Sequence, residues 1–350
     1  MFRATRTLTR TGGSLVSPGR KLTTWAFIGL GRMGAPMATN LHHGMAPDDV
    51  LLLYDTNPSS LTPLLASLPR SKRASGLREI GASADVIVTM LPDSQHVEEC
   101  YFGDTGFCFD QPPITSTATT TTTTTTKASL SRRWLIDCST IDPRRSTAIH
   151  DRLAGTLPSA TFVDAPVSGG VRGAEERTLS FMVGHDRHAD LDAVLHRLGT
   201  TVHYCGSSGA GLSAKLCNNY LLALGNLATA ESMRLGIALG LDPAVLGRVI
   251  NSSTGKCWPS EKNNPVAGVT PGAPVERNYS GGFGIELMMK DLGLALGAAK
   301  AVGVELALSQ PAKRVYETVQ QARDGKYRGK DFGVVYQYLK DNADEKDRER

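Results

Sequence analysis

The tract FIGLGRMG, residues 27–34, limits what this chain can fold into more than any other feature, because it sets Gly29, Gly31 and Gly34 as GxGxxG between a short apolar run and a segment of helical spacing. In that setting the first glycine allows a tight turn, the second lets a pyrophosphate approach the backbone, and the third lets helix pack on strand. The helix N-terminus then faces negative charge. A second apolar run, VLLLYD, ends at Asp55, about twenty residues further on, where a carboxylate can accept hydrogen bonds from adenosine ribose hydroxyls. The same carboxylate repels a 2′-phosphate, and Thr56 and Asn57 supply no arginine to bind one. The pattern therefore predicts NAD rather than NADP.

Apolar runs alternate with helical stretches beyond residue 23: WAFIGLG, VLLLYD, DVIVTMLP, WLIDCST, TFVDAPVSGG, LSFMVGH, and finally YCG near 206. The alternation predicts an α/β fold, a doubly wound, mostly parallel Rossmann sheet spanning 24–208. Residues 115–126 interrupt it with a threonine-dominated tract that has no apolar periodicity, read as a surface loop insertion with an edge strand as the alternative. From Gly209 the character changes. AGLSAKLCNNYLLALGNLATAESMRLGIALG is apolar on nearly all faces, which predicts a long helix buried all round between domains or subunits. Asp242 as N-cap before Pro243, then helices near 286–303 and 310–323, complete an all-helical domain for substrate and dimerisation over 209–340. A disordered charged tail is expected over 341–350, and a homo-oligomer, dimer or tetramer, is expected from the long helix.

Composition removes several function classes. The net charge of +4 owes much to Arg3, Arg6, Arg10, Arg20 and Lys21, so the body is near neutral and lacks the clustered basic face that nucleic acid requires. No acid occurs before Asp48, and residues 1–23 have the Arg-, Thr- and Ser-rich composition of a transit peptide. This predicts the mitochondrial matrix, with a plastid address or an unaddressed tail as alternatives. No apolar run reaches membrane-spanning length. Cys100, Cys108, Cys138, Cys205, Cys217 and Cys257 form no CxxC pair, and His185 and His188 lack further ligands, so no disulfide framework and no metal site are expected.

Two further segments carry chemistry. In DAPVSGGVRGA, residues 164–174, the missing side chains of Gly169 and Gly170 let backbone N–H groups point at an anion, and the Ser168 hydroxyl adds a donor suited to a substrate carboxylate. A structural turn that needs glycine is the competing reading. In GLSAKLCNN, Gly211, Lys215 and Asn219 are spaced by four and share one helix face. A lysine buried in so apolar a helix loses proton affinity, which suits it to take a hydroxyl proton near neutral pH, whereas a snorkelling surface lysine would do nothing.

The order FIGLGRMG, DAPVSGGVRGA, GLSAKLCNN, GGFGIELMMKDL resembles the β-hydroxyacid dehydrogenase family over about residues 25–340. MLPDSQHVEECY, WLIDCSTIDP, GKCWPSEKNNPVAGV and KDFGVVYQYL are most similar to its members that oxidise 3-hydroxyisobutyrate in mitochondria, a step of valine catabolism. The resemblance implies a Rossmann domain joined by a long helix to a helical domain, a small β-hydroxyacid as substrate, Lys215 as catalytic base and acid, and Asn219 beside it holding substrate. It implies Ser168, Gly169 and Gly170 as the carboxylate site, with Trp258 lining the pocket unless it is a core residue. Cofactor contacts are implied for Gly29, Leu30, Gly31, Arg32, Met33 and Gly34, and for Asp55, Leu91, Pro92, Thr140, Phe283 and Lys290. Asp291 is left to orient Lys290 or cap locally. The family also contains NADPH-dependent reductases of tartronate, glyoxylate and succinic semialdehydes. A non-catalytic NAD-binding interaction protein on the same fold is the alternative of another class; it would have no chemical need for Lys215, Asn219 and Ser168.

Overall fold

The computed structural model describes residues 23–108 and 133–348, so the leader and the threonine tract lie outside the described residues. Six parallel strands, β1 (Thr24–Ile28), β2 (Val50–Tyr54), β3 (Ser71–Arg73), β4 (Val86–Thr89), β5 (Arg133–Asp137) and β6 (Ala160–Asp164), pair in the order β3-β2-β1-β4-β5-β6. The links between them carry helices α1 (Gly34–Gly44), α2 (Leu61–Ser67), α3 (Leu77–Ser83), α4 (Ser94–Phe102) and α5 (Pro143–Thr156). Both faces of the sheet are buried along β1, β2, β4, β5 and β6, while the short edge strand β3 is largely exposed. Trp25, Phe27, Leu51 and Leu53 enter one apolar cluster, while Ala26, Ile28 and Leu52 enter the other.

The remaining three strands do not extend this sheet. β7 (Val167–Ser168), β8 (Leu179–Val183) and β9 (Gly199–Tyr204) form a separate small sheet, with β7 antiparallel to β8 and β8 parallel to β9, and α6 (Gly170–Glu175) and α7 (Ala189–Leu195) in its links. The break falls at Pro166, which has no N–H to continue a ladder. Beyond it the Met182 N–H donates to the Pro166 carbonyl at 3.0 Å, turning the chain toward β8.

α8 (Ala210–Ala238) leads into α9 (Pro243–Asn251), α10 (Trp258–Lys262), α11 (Ile285–Ala301), α12 (Ser309–Gly325) and α13 (Val335–Arg348). Its core face meets Ile285, Met288, Leu292, Tyr316 and Phe332. Within the single chain the burial of α8 is one-sided: Leu221 and Leu235, with Leu239 just past its end, stand on an open side at 62–72% exposure. The charged tail also departs from expectation: α13 remains helical to Arg348. Asp341 anchors it by accepting from Lys326 Nζ at 2.7 Å and from the Tyr327 hydroxyl and Gln337 Nε2 at 2.6 Å.

Mid-way along α8, the fully buried Asn226 donates through Nδ2 to the Tyr316 hydroxyl and the Phe332 carbonyl, both at 3.0 Å. It thereby ties the long helix to α12 and to the turn before α13. Asn226→Ala should lower unfolding free energy by about 2 kcal/mol, the cost of leaving those partners unpaired in a dry core. Urea unfolding followed by circular dichroism measures this; a loss below about 0.5 kcal/mol would show the network to be dispensable.

Candidate active site

The strand order places a topological switch point between β1 and β4, where a ligand crevice opens at the carboxyl ends of the strands. Gly29 leaves β1 there with φ +90°, its N–H donating to the Tyr54 carbonyl at 3.0 Å, and any Cβ would strike the Met90 carbonyl. At Gly34 a Cβ would strike the Gly29 carbonyl, so helix and loop touch backbone to backbone. Gly31 differs from both, since a Cβ there meets nothing within 4 Å. α1 begins with no side-chain cap and no acid in its first turn; Ala35 and Met37 donate to the Gly31 and Met33 carbonyls and Pro36 has no N–H, so the helix offers an anion the positive end of its dipole rather than a full set of free donors. Residues Leu30, Arg32 and Met33 complete this loop, with Arg32 exposed and Leu30 buried. This cradle fits a dinucleotide pyrophosphate.

Asp55 closes the loop from the side. Its Oδ2 accepts from the Leu30 N–H at 2.6 Å and its Oδ1 from the Asn57 N–H at 2.7 Å. Both oxygens keep lone pairs for further donors.

The loops after β4 and β5 are built around a carboxylate that the sequence reading did not single out. Asp137, fully buried at the end of β5, accepts through Oδ1 from the Thr89 hydroxyl at 2.7 Å and the Ser139 hydroxyl at 2.6 Å. Ser139 Oγ in turn accepts from the Leu91 N–H at 2.8 Å. Burial raises the Asp137 pKa, and the bonds from Ser139 and Thr89 oppose that rise. Leu91, Pro92 and Thr140 are thus presented together at the rim of the crevice.

Lys290 crosses from the helical domain to this rim. Its Nζ donates to the Thr140 carbonyl at 2.7 Å and the Pro92 carbonyl at 3.2 Å, and lies 3.3 Å from Asp291 Oδ1. Asp291, buried on α11, accepts through Oδ2 from Asn219 Nδ2 at 2.6 Å. Asn219 lies one turn beyond Lys215, which is only 7% exposed. Burial holds the Lys215 pKa below the ordinary lysine range; Asp291 opposes that shift and Lys290 adds to it. Lys215, Asn219, Lys290 and Asp291 therefore form one cluster facing the loops that carry Pro92 and Thr140. The role of Asp291 as the acid between two lysines was visible in the sequence only as the neighbour of Lys290.

The other expected residues lie at β7, the start of α6, α10 and the approach to α11. Ser168 ends β7 opposite Ser180, followed by Gly169 at φ +132° and Gly170 at φ +64°, conformations open to glycine alone at little cost. Phe283 precedes α11, its N–H donating to Asp331 Oδ2 at 2.9 Å and its ring 6.0 Å from that of Phe332. Trp258 opens α10 with 52% of its surface exposed, which removes the core alternative for it. Among the described residues no group of His, Cys, Asp and Glu is arranged to hold a metal.

A family model described as the NAD binding domain of 6-phosphogluconate dehydrogenase matches residues 24–206, and one described as NAD-binding of NADP-dependent 3-hydroxyisobutyrate dehydrogenase matches residues 209–339. The chain is 41% identical over 322 residues to the mitochondrial 3-hydroxyisobutyrate dehydrogenase of Mus musculus, covering 91% of this chain and 88% of that one. It is 38% identical over 316 residues to the 3-hydroxyisobutyrate dehydrogenase of Pseudomonas aeruginosa, covering 90% and 97%. The solved structure of Mycobacterium tuberculosis 3-hydroxyisobutyrate dehydrogenase with L-serine superposes with a TM-score of 0.75 at 34% identity, covering 91% of this chain and 99% of that one. A glycine-loop Rossmann domain followed by a helical domain, matched along almost its whole length by such enzymes, defines a β-hydroxyacid dehydrogenase with an NAD(P) site. The similarity is continuous through both domains. The chain belongs to the 3-hydroxyisobutyrate dehydrogenase family.

Gly31 and Gly34 separate cofactor space from packing space. Gly31→Val should leave thermal stability nearly unchanged yet weaken dinucleotide binding at least about tenfold, a loss of roughly 1.4 kcal/mol. Gly34→Val should instead cost about 1–3 kcal/mol of stability through overpacking. Thermal melts with and without dinucleotide distinguish them, and a stability loss for Gly31→Val equal to that of Gly34→Val would contradict the assignment.

Proposed function

We propose that the protein oxidises 3-hydroxyisobutyrate to methylmalonate semialdehyde, with NAD as oxidant and Lys215 as the group that takes the hydroxyl proton. The observation that carries this reading is the Lys215 amine, withdrawn from water next to Asn219 and held below its ordinary pKa chiefly by burial. A neutral Nζ accepts the proton as the carbinol carbon gives up its hydride; the protonated Nζ returns it in the reverse reduction. When bound, the nicotinamide supplies the hydride acceptor. Ser168, Gly169 and Gly170 hold the substrate carboxylate, and Asn219 steadies the substrate beside the lysine. This fixes the carbinol carbon between amine and cofactor and removes a large orientational cost. The M. tuberculosis relative was solved with L-serine, itself a small acid with a hydroxyl on the β-carbon.

For the cofactor, Asp55 supports NAD, because a 2′-phosphate brought beside its carboxylate would meet like charge. The description of the family model over 209–339 favours NADP and supplies the second reading, an NADPH-dependent semialdehyde reductase. Steady-state rates with both cofactors across a panel of short β-hydroxyacids decide between them. Preference for NAD and for the branched C4 acid is expected; preference for NADPH with a semialdehyde would install the second reading. The mitochondrial matrix is supported by the leader composition and by relatives named as mitochondrial, and import of a reporter fused to residues 1–23 tests it. A homo-oligomer is supported by the open apolar side of α8, and light scattering on the purified protein measures it.

Lys215→Ala should lower turnover about 10²–10⁴-fold. Oxidation needs the neutral amine, so its rate should rise with pH through the Lys215 titration. Asp291→Asn removes the carboxylate that raises this pKa and should move the rising limb to lower pH. A Lys215→Ala enzyme with near-parent turnover would end the assignment.

A further inference from the structure

β6 ends on Asp164, a fully buried residue whose side chain serves the other domain. Oδ1 accepts from the Gly209 N–H at 2.8 Å and Oδ2 from the Leu212 N–H at 3.0 Å. N–H groups at a helix start have no intrahelical partner, and the N-cap of α8, Gly209, has no side chain to supply one. The cap comes instead from a strand 45 residues earlier in the chain. Its seat is close-fitting: a Cβ at Gly184 would strike Oδ1, and one at Gly211 would lie 2.9 Å from Oδ2. Burial pushes the carboxyl up to about 6, against the pull of its bonds from Gly209 and Leu212.

Two parts of the site take their position from this group. Lys215 lies three residues beyond Leu212, about 4.5 Å along the helix axis. Ser168 follows Asp164 by four residues, and the chain between is pinned by the Ala165 N–H donating to the Asp137 carbonyl at 2.8 Å and by the Met182 N–H donating to the Pro166 carbonyl at 3.0 Å. We infer that Asp164 is a positioning residue for the reaction: by capping α8 from the end of β6, it fixes Lys215 Nζ relative to the carboxylate-binding loop Ser168–Gly170. This rests on the reading of Lys215 as proton acceptor. A carboxylate that only stabilised the fold would alter the melting temperature and leave the turnover of folded enzyme alone.

The test is a double-mutant cycle on the full-length enzyme, with Asp164→Asn made in the parent and in Lys215→Ala, and with melting temperature and cofactor Kd measured alongside. Folded Asp164→Asn should lose about 10- to 100-fold in kcat, with cofactor Kd within about threefold of the parent. In the Lys215→Ala background the same change should alter kcat by less than about threefold, because the group it positions is gone. Parent-like kcat for folded Asp164→Asn, or an equal loss in both backgrounds, would overturn the inference. Should Asp164→Asn not fold, Gly184→Ala, which crowds Oδ1 and leaves the carboxylate in place, is read by the same two criteria. Lys215→Ala with near-parent turnover would remove the proton-acceptor reading and this inference with it, whereas an impaired Lys215→Ala beside a fully active Asp164→Asn overturns this inference alone.

Discussion

The joint between the two domains is a pair of hydrogen bonds from the first turn of α8 to the carboxylate that ends β6. A helix of 29 residues begins there, and everything it carries is indexed from that end: Lys215 in the second turn, Asn219 in the third, Asn226 in the core of the helical domain. The glycine loop, the loops after β4 and β5 and the start of α8 all lie at the carboxyl ends of parallel strands. In a parallel sheet those ends gather the loops that each strand hands to its following helix. The fold thus brings a dinucleotide cradle and a buried amine to the same edge.

A second link closes the opposite side of that edge. Lys290 reaches from α11 to the carbonyls of Thr140 and Pro92, whose loops are themselves ordered by Asp137 through Thr89 and Ser139. The crevice is therefore bounded by two polar joints, one at Asp164 and one at Lys290. The Asp164 joint is fully buried, where a directed hydrogen bond keeps more of its strength, whereas the Lys290 joint is partly exposed at the rim.

Local pattern was enough to read the glycine loop, five of the six parallel strands and the long helix, because each rests on period, spacing or a turn residue within a short window; β3, the polar and largely exposed Ser71–Arg73, carries no apolar run and escaped it. What required pairing across the chain could not be read that way. Asp137 meets Thr89 across 48 residues and Asn219 meets Asp291 across 72, and no spacing rule connects either pair. The small second sheet had a local signal in Pro166, but a proline beside an apolar run marks the end of a strand without telling where the next one pairs. The open side of α8 was hidden for a different reason: leucine has the same pattern whether the surface that covers it lies in the same domain or outside it. The helical tail was misjudged on charge, since Asp341 is held by Lys326, Tyr327 and Gln337 rather than by water.

The two lysines around one buried acid stand in unlike surroundings. Lys290 Nζ donates to two carbonyls and lies 3.3 Å from the Asp291 carboxylate. Lys215 Nζ has no acceptor within hydrogen-bond distance among the described residues, and it sits at 7% exposure with a second cation nearby. An ammonium in that place would lose hydration and gain little in return, so burial and the neighbouring charge act in the same direction. Asp291 spends one oxygen on Asn219 and the other on Lys290, leaving Lys215 only its longer-range field. The arrangement sets two like side chains apart: Lys290, rich in acceptors, joins the domains, while Lys215, without them, is the amine on which burial weakens the hold of a proton.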